Sequence, residues 1–390
     1  MNIQTAPEIE TALDKGAPVA IGISGGKDSG ALAIALVRSL LARGHPRNKI
    51  LLVHADLGDI EWPQSDEWVR KLALFLNIEL VVVRRPAGGM IDRWEKRWAD
   101  NKARYSALKC VTLILPWSTP SMRFCTSELK VAPITSELRK RYPNEPVIIN
   151  ATGIRAQESK KRAELPLFQE QAKLKHKNGI GYDWHPIQHW KIEEVFAIQK
   201  ESGFPLHPAY TEFGSSRLSC SFCILATDDD HKAAASFTGN TAAYVRLCTL
   251  EINSAFSFKG NKWLSDLRPD LLPPDFAEKL AKAKEREKIR ALAESKIPKD
   301  LLFTKGWPLR APSLEEAIVM AEVRQTVLAT AGLESPYIKP DAIIARYLEL
   351  MEEAALKQRA KDKIQGRKNA RAAKKEAARL PAVQLDFSLT

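Results

Sequence analysis

Six consecutive residues, Ser24-Gly25-Gly26-Lys27-Asp28-Ser29, bring together what a phosphate group needs. Paired glycines let successive backbone N–H groups turn inward as an anion nest. A helix starting near Ser29 adds the positive end of its dipole. The Ser24 and Ser29 hydroxyls can donate to phosphate oxygens, and Lys27 supplies a point charge. Asp28 makes sense in an anion site if it holds Mg²⁺. The expected ligand is a nucleoside triphosphate, ATP. Two other glycine loops are excluded by residue type. A G-x-x-x-x-G-K-[ST] loop needs glycine at Ile21 and a hydroxyl at Asp28, and a G-x-G-x-x-G turn starting at Gly22 meets Ser24. A glycine turn without a ligand leaves Lys27 and Asp28 no reason to sit inside it.

A second group lies at Gly153-Ile154-Arg155-Ala156-Gln157-Glu158-Ser159, with Arg162. Arg155 and Arg162 can grip phosphate or sulfate oxygens bidentately and stabilise charge developing on a phosphoryl group. Glu158 and Ser159 can orient Arg155 or a metal ion. The plainer alternative is a solvated loop, because runs such as Ser159-Lys160-Lys161-Arg162 often do nothing more. Asp56 follows another apolar run, where the chain approaches adenosine. Arg123 and Lys130 serve the ligand or form a helix-face pair.

These groups need a scaffold that delivers them to one edge. Residues 17–23 form a short apolar run, as a buried parallel strand does. Residues 29–43 show helical spacing stopped by Gly44 and Pro46. Residues 49–54, 78–83 and 146–151 read as further strands, and 68–76 as an amphipathic helix. The alternation predicts an α/β fold with a parallel doubly wound sheet, whose ligands sit beyond the carboxyl ends of the strands; a five-stranded sheet is expected, one strand more than these runs place. From about residue 228 the pattern turns wholly helical. The expected division is a nucleotide-binding domain over 1–227, a helical region over 228–356, and a basic, disordered tail over 357–390.

Further segments narrow the reading. They are His54-Ala55-Asp56-Leu57-Gly58-Asp59-Ile60-Glu61-Trp62-Pro63, Arg123-Phe124-Cys125-Thr126-Ser127-Glu128-Leu129-Lys130, Pro208-Ala209-Tyr210, and Gly214-Ser215-Ser216-Arg217 ahead of Cys220-Ser221-Phe222-Cys223. The loop at 24–29 matches the SGGxDS loop of the N-type ATP pyrophosphatases. In this order the set resembles the phosphoadenosine-phosphosulfate (PAPS) reductase family, including the ATP pyrophosphatase of DNA phosphorothioation systems, over roughly residues 15 to 230. The resemblance implies cleavage of ATP between the α- and β-phosphates, adenylation of an acceptor, and sulfur transfer from a donor such as a cysteine desulfurase. True reductases of the family carry a Glu-Cys-Gly near the C-terminus, and the iron–sulfur adenylylsulfate reductases a Cys-Cys pair. Neither occurs here. A PAPS or adenylylsulfate reductase is therefore the second reading, and a non-catalytic ATP-binding component of an assembly the third.

Cys220-x-x-Cys223 places two soft ligands at metal-chelating spacing. Cys125 can complete a three-cysteine site with one iron of a 4Fe–4S cluster left open, an arrangement that related thiolation enzymes resemble. Cys248 or His231 is a candidate fourth ligand. The same set suits structural zinc, redox thiols or plain burial. Cys110, beside Leu108, Val111 and Leu113, reads as core.

The five cysteines are an odd number in 390 residues, and the first residues carry acids where a secretory signal needs a basic and then an apolar stretch. No apolar run is long enough to span a bilayer. A cytoplasmic protein with no membrane partner is expected. The net charge of +12 is unevenly placed: residues 357–379 hold ten Lys/Arg against Asp362 and Glu376. Such a segment most often binds polyanions, tracking nucleic-acid phosphates without reading sequence; the plainer alternative is a solvated tail without a function. The tip Gln384-Leu385-Asp386-Phe387 resembles short peptides that dock on the bacterial sliding clamp.

Overall fold

The computed structural model describes residues 2–218 and 220–377, with side chains through residue 371. Its strands are β1 (Val19–Ile23), β2 (Ile50–Asp56), β3 (Glu79–Arg84), β4 (Val147–Ala151), β5 (Phe168–Glu170) and β6 (Ile180–Trp184). Its helices are α1 (Pro7–Asp14), α2 (Lys27–Ala42), α3 (Gln64–Leu76), α4 (Met90–Ser106), α5 (Ala132–Arg141), α6 (Lys160–Ala163), α7 (Ile192–Ser202), α8 (Pro208–Thr211), α9 (Asp228–Ser236), α10 (Thr241–Ser254), α11 (Phe276–Glu294), α12 (Leu314–Ala331) and α13 (Pro340–Ala377).

The sheet runs β3-β2-β1-β4-β6-β5. Five strands are parallel, as expected, and β5 adds a short antiparallel edge beside β6. Both faces of the central strands are apolar because both are covered. Val19, Ile21 and Ile23 of β1 face one cluster with Leu32 and Leu36 of α2, Trp68 of α3 and Val195 of α7. Ala20, Leu51, Val53 and Ile148 face another with Leu138 of α5. From β1 the chain crosses to β2 on one side, and β4 lies on the other. That is the topological switch point where ligands of such sheets bind.

The chain forms two compact units. The first comprises Met1–Trp98 with Leu115–Ala283, so residues 228–283 belong with the sheet instead of opening a separate helical region. The second takes Ala99–Ile114 together with the chain from Lys284. There, α12 opens on a capping box made by Ser313 and Glu316 and closes at Gly332, whose φ of +63° a glycine adopts without strain. Arg324, Tyr347 and Met320 are buried in this unit.

Residues 357–377, expected to lack structure of their own, continue α13. Its first part supplies packed residues (Ile343, Tyr347 and Leu350), so the nucleation cost is already met when the Ala, Lys, Arg and Gln that follow, all good helix formers, extend it. The 384–387 tip lies outside the described residues. Among those residues, no helix is long and apolar enough to cross a membrane.

Candidate functional site

The phosphate loop leaves β1 at Ile23 and enters α2 at Lys27. Gly25 has φ of +79°, and a Cβ there would lie 2.8 Å from Leu218 Cδ2 and 3.2 Å from His207 Cδ2. Glycine is thus required by both conformation and space. Gly26 is the N-cap of α2, and Asp28 sits in its first turn, where the helix dipole favours an acid. Ser29 Oγ donates to Gly26 O at 2.9 Å and accepts from Ser24 N at 3.2 Å. Its distance to Ser24 Oγ is 3.4 Å, so the two hydroxyls meet beside the turn.

The loop after β4 lies directly on this backbone. A Cβ on Gly153 would come within 2.9 Å of Asp28 O and 3.1 Å of Ser29 N. Two residues on, Arg155 Nε donates to Asp28 Oδ1 at 2.5 Å. Arg155 Nη1 donates to Gln157 Oε1 at 2.8 Å and to Trp190 O at 3.4 Å. The guanidinium expected to grip a ligand is instead buried and committed to fixing Asp28. Asp28 Oδ2 lies 3.9 Å from Lys27 Nζ. That oxygen suits Mg²⁺, which takes one or two carboxylates and completes its shell with water and substrate phosphates. Glu158 accepts from the Arg155 backbone N–H at 3.1 Å and also holds the Arg162 guanidinium. Ser159 Oγ caps the turn α6, accepting from Arg162 N at 3.3 Å.

The segment from His207 to Leu218 covers the start of α2. Tyr210 Oη accepts from Lys27 N at 3.2 Å and from Leu218 N at 2.9 Å, and burial pushes its phenol up to about 12. Lys27 Nζ donates to Ser216 O at 3.3 Å and stands 5.1 Å from the Tyr210 ring centre. Gln199 Nε2 donates to Lys27 O at 2.7 Å. The donors a phosphate would use therefore rest on neutral oxygens, for which a charged phosphoryl oxygen is the stronger competitor. His207 Nδ1 accepts from Ala209 N at 3.1 Å, so that nitrogen carries no proton, and burial lowers the imidazole pKa to about 4. Neither Gln199 nor His207 was identifiable from sequence, because no spacing rule joins residues so far apart along the chain. Tyr210 was noted there without a role.

At the end of β2, His54 is buried and reaches two acceptors. Nδ1 is 3.1 Å from Ile23 O, the last strand residue before the phosphate loop, and Nε2 is 3.1 Å from Glu61 Oε2. Burial works against charge on this ring, but the Glu61 bond, the Glu61 charge and the Ile23 carbonyl together raise its pKa. Asp56 Oδ1 accepts from Gly58 N at 2.7 Å, and its other oxygen lies 3.5 Å from Arg84 Nε. His54, Asp56, Glu61, Trp62, Asp66 and Arg84 line a cleft of about 440 Å³, within the range of small-molecule sites.

Residues 18–226, more than half of the chain, match the phosphoadenosine phosphosulfate reductase domain. The chain belongs to the PAPS reductase-like family. This gives it a nucleotide-binding, adenylyl-related character. It is 28% identical over 237 residues to an uncharacterized 37.8 kDa protein in the gpa 5′ region of Escherichia phage 186, covering 53% of this chain and 66% of that one. It is similar to the phosphate complex of PAPS reductase from Candida auris (15% identity, TM-score 0.34), covering 56% of this chain and 98% of the other. It is also similar to Candida glabrata FMN adenylyltransferase in complex with FMN and an ATP analogue (14%, TM-score 0.32), covering 52% and 55%.

In this PAPS reductase-like chain none of the five cysteines is disulfide-bonded. Cys125 opens a π-helical turn, Cys125–Val131, the kind of widened turn often found at functional sites. The C-x-x-C loop is tied to the β2 loop by Ser221 N, which donates to Ile60 O at 2.8 Å. His231, a candidate ligand from sequence, points Nε2 at Cys223 O at 2.8 Å and so braces that loop. The Cys220 thiol is pushed up by burial and then by Cys223, with Glu61 and Cys125 adding and Lys130 opposing. These five groups thus share one neighbourhood. Even so, among the described residues no three His, Cys, Asp or Glu side chains are gathered as metal ligands, so the arrangement does not fit the expected cluster or zinc. Cys248 is not a further ligand here: it is buried on α10, away from any group of metal-ligating side chains among the described residues. Cys110 is buried, which raises its thiol to about 11. Lys130 is half-buried, while Arg123 is exposed.

Proposed function

We propose that the chain is an ATP pyrophosphatase that cleaves ATP to AMP and pyrophosphate, adenylating an acceptor oxygen so that sulfur can replace it. The observation that carries this is the intact Ser24–Ser29 loop, with Asp28 fixed by Arg155 at 2.5 Å and both serine hydroxyls at the start of a 16-residue helix. Such a loop accommodates a triphosphate with Mg²⁺ on Asp28 Oδ2, while the cleft beside His54 and Asp56 takes the nucleoside. Binding displaces Lys27 from Ser216 O and Tyr210, and its ammonium moves to phosphate. Cys125, Cys220 and Cys223 are the candidate carriers of sulfur, and nucleic acid, DNA or RNA, is the acceptor that the basic C-terminal segment favours. A donor such as a cysteine desulfurase supplies the sulfur, and the 384–387 tip offers a contact to a sliding clamp.

The test compares stabilisation by Mg–ATP and by PAPS in protein purified without oxygen. A ligand at about a hundred times its dissociation constant adds roughly 2.7 kcal/mol. Stabilisation by Mg–ATP, lost in Lys27→Ala, with AMP release on adding an acceptor, is expected. Stabilisation by PAPS alone, with sulfite release driven by a thiol reductant, would replace this reading with that of a reductase.

A further inference from the structure

The distal half of α13 is a helix without a packing face. Every residue from 355 to 371 is exposed. A helix polar all round needs another source of order or another partner. Seven cations occupy this stretch: Lys357, Arg359, Lys361, Lys363, Arg367, Lys368 and Arg371, against the single acid Asp362.

Their placement is one-sided. Advancing about 100° per residue, Lys357, Lys361, Lys368 and Arg371 fall along one line. Arg359, Lys363 and Arg367 fall along a second, roughly a third of a turn away. Ala360 lies in the strip between them, while Ile364, 54% exposed, sits on the first line between Lys361 and Lys368. The opposite side is uncharged apart from Asp362 and is bonded to itself: Gln358 Nε2 donates to Asp362 Oδ1 and Gln365 Nε2 to Asn369 Oδ1, both at 2.8 Å. Lys357 stands 4.5 Å from the centre of the Trp307 ring. No ion pair engages any of the seven among the described residues. The described residues therefore leave a two-lined positive charge uncompensated, while the one acid within the stretch is turned away and occupied.

We infer that this half of α13 is a docking helix for duplex DNA, lying along the major groove with one line of cations on each phosphate wall. A helix with side chains is about 10–12 Å across and the B-form major groove about 12 Å wide. The strip at Ala360 then faces the groove floor with Ile364 at its edge, where apolar groups meet base edges without reading them by hydrogen bonds. Gln358, Gln365 and Asn369, which could read adenine, face away, so the contact is independent of sequence. The major groove of A-form RNA is deep and too narrow for this fit. The helix gives the acceptor of the proposed reaction a place on the chain and to that extent rests on that reading, but the binding needs no ATP.

The test uses the full chain and fluorescent duplex DNA of arbitrary sequence, with no nucleotide present. Seven phosphate contacts predict log K falling against log salt with a slope of about −6, a loss of about a thousandfold or more between roughly 50 and 200 mM. The variant Lys361→Gln/Lys363→Gln/Arg367→Gln/Lys368→Gln should bring the slope to about −3. The opposite-face variant Gln358→Ala/Gln365→Ala/Asn369→Ala should keep the parental slope. Gln is close to Lys and Arg in helix propensity, and all four exchanged residues are exposed and leave the Lys357–Trp307 contact untouched, so folding is not at stake. The charge-preserving exchange Lys361→Arg/Lys363→Arg/Arg367→Lys should also bind like the parent. A parental slope in the four-site Gln variant would overturn the inference. So would binding to duplex RNA or to anionic vesicles as tight as to DNA. Failure of AMP formation with normal DNA binding would count against the reaction only.

Discussion

Arg155 in the first unit and Arg324 in the second are both buried, at 4% and 1% exposure, but they are neutralised differently. Arg155 donates to a carboxylate, Asp28, in the middle of the phosphate loop. Arg324 donates to Tyr337 O at 2.7 Å, Tyr105 O at 3.0 Å and Ser335 Oγ at 2.8 Å, and its guanidinium lies 4.7 Å from the Tyr105 ring centre. Among the described residues its Nη1 has no hydrogen-bond partner, and burial lowers its pKa. A cation held by carbonyls and a ring ties three chain segments together and has no exchangeable counter-ion. A cation held by a carboxylate on a ligand loop is part of a charge balance that an incoming polyphosphate alters. The residue type and burial are the same; the partner decides which is structural and which belongs to the site.

The largest effect expected from this difference is at Arg155. Arg155→Leu leaves the Asp28 carboxylate, 18% exposed, without its 2.5 Å partner. Breaking such a pair costs about 3–5 kcal/mol, read by urea unfolding. AMP formation should fall by at least about a hundredfold, because the loop loses the geometry that holds the phosphates. Adding Asp28→Asn should restore most of the stability and none of the turnover. An Arg155→Leu protein as stable and active as the parent would erase the distinction between the two arginines.

Arg324→Leu is the next step down. Three acceptors lose a donor, at about 1–3 kcal/mol for each that stays dry, although relaxation toward water will recover part. We expect a loss of about 2–3 kcal/mol with the Mg–ATP affinity unchanged. Arg324→Lys should recover only a fraction, since an ammonium cannot span the same acceptors. A change in ATP affinity from Arg324→Leu would show that the second arginine also serves the site. Smaller again is Gly25→Ala: a left-handed φ of +79° costs an alanine about 1–2 kcal/mol, and its Cβ must also push Leu218 aside. The expected result is a loop that folds but shows a reduced shift with Mg–ATP.

What could be read from sequence follows the range of the signal. The phosphate loop, its strand and its helix are contiguous, so residue type and spacing were enough, and four of the five parallel strands announced themselves by apolar runs; β6, with Gly181 and Asp183 in its five residues, did not. The three-residue β5 lies just after Pro166 and is too short to show a period. Arg155 was expected to meet a ligand, because nothing in its loop says that Asp28, 127 residues earlier, is its partner. Arg324 was invisible, since an arginine in a helix is ordinarily a surface residue, and only the fold shows that its side faces Tyr105. The membership of residues 228–283 in the first unit was hidden for the same reason: helical periodicity gives a buried face but not what covers it.

The smallest expected effect sharpens the comparison most, because His54 is a cation site of both kinds. Nδ1 meets a backbone carbonyl, Ile23 O, and Nε2 meets a carboxylate, Glu61. Both are acceptors, so the doubly protonated ring satisfies them best. Burial and the charge on Lys130 oppose that form, the two Glu61 effects and the Ile23 bond favour it, and the balance raises the pKa. A raised pKa contributes stability that is fully present below the unfolded value, about 6.5, and is lost as pH rises through the folded value above it. Glu61→Gln keeps the shape and one acceptor oxygen but removes the charge. Melting temperatures of parent and variant, taken from pH 6 to 9 at matched salt, should therefore converge as pH rises, with the parent ahead on the acidic side. Parallel curves would mean that the carbonyl alone supports the imidazolium, placing His54 with Arg324. Convergence places it with Arg155, and the link through Ile23 O then makes the protonation of β2 a determinant of how the phosphate loop is held.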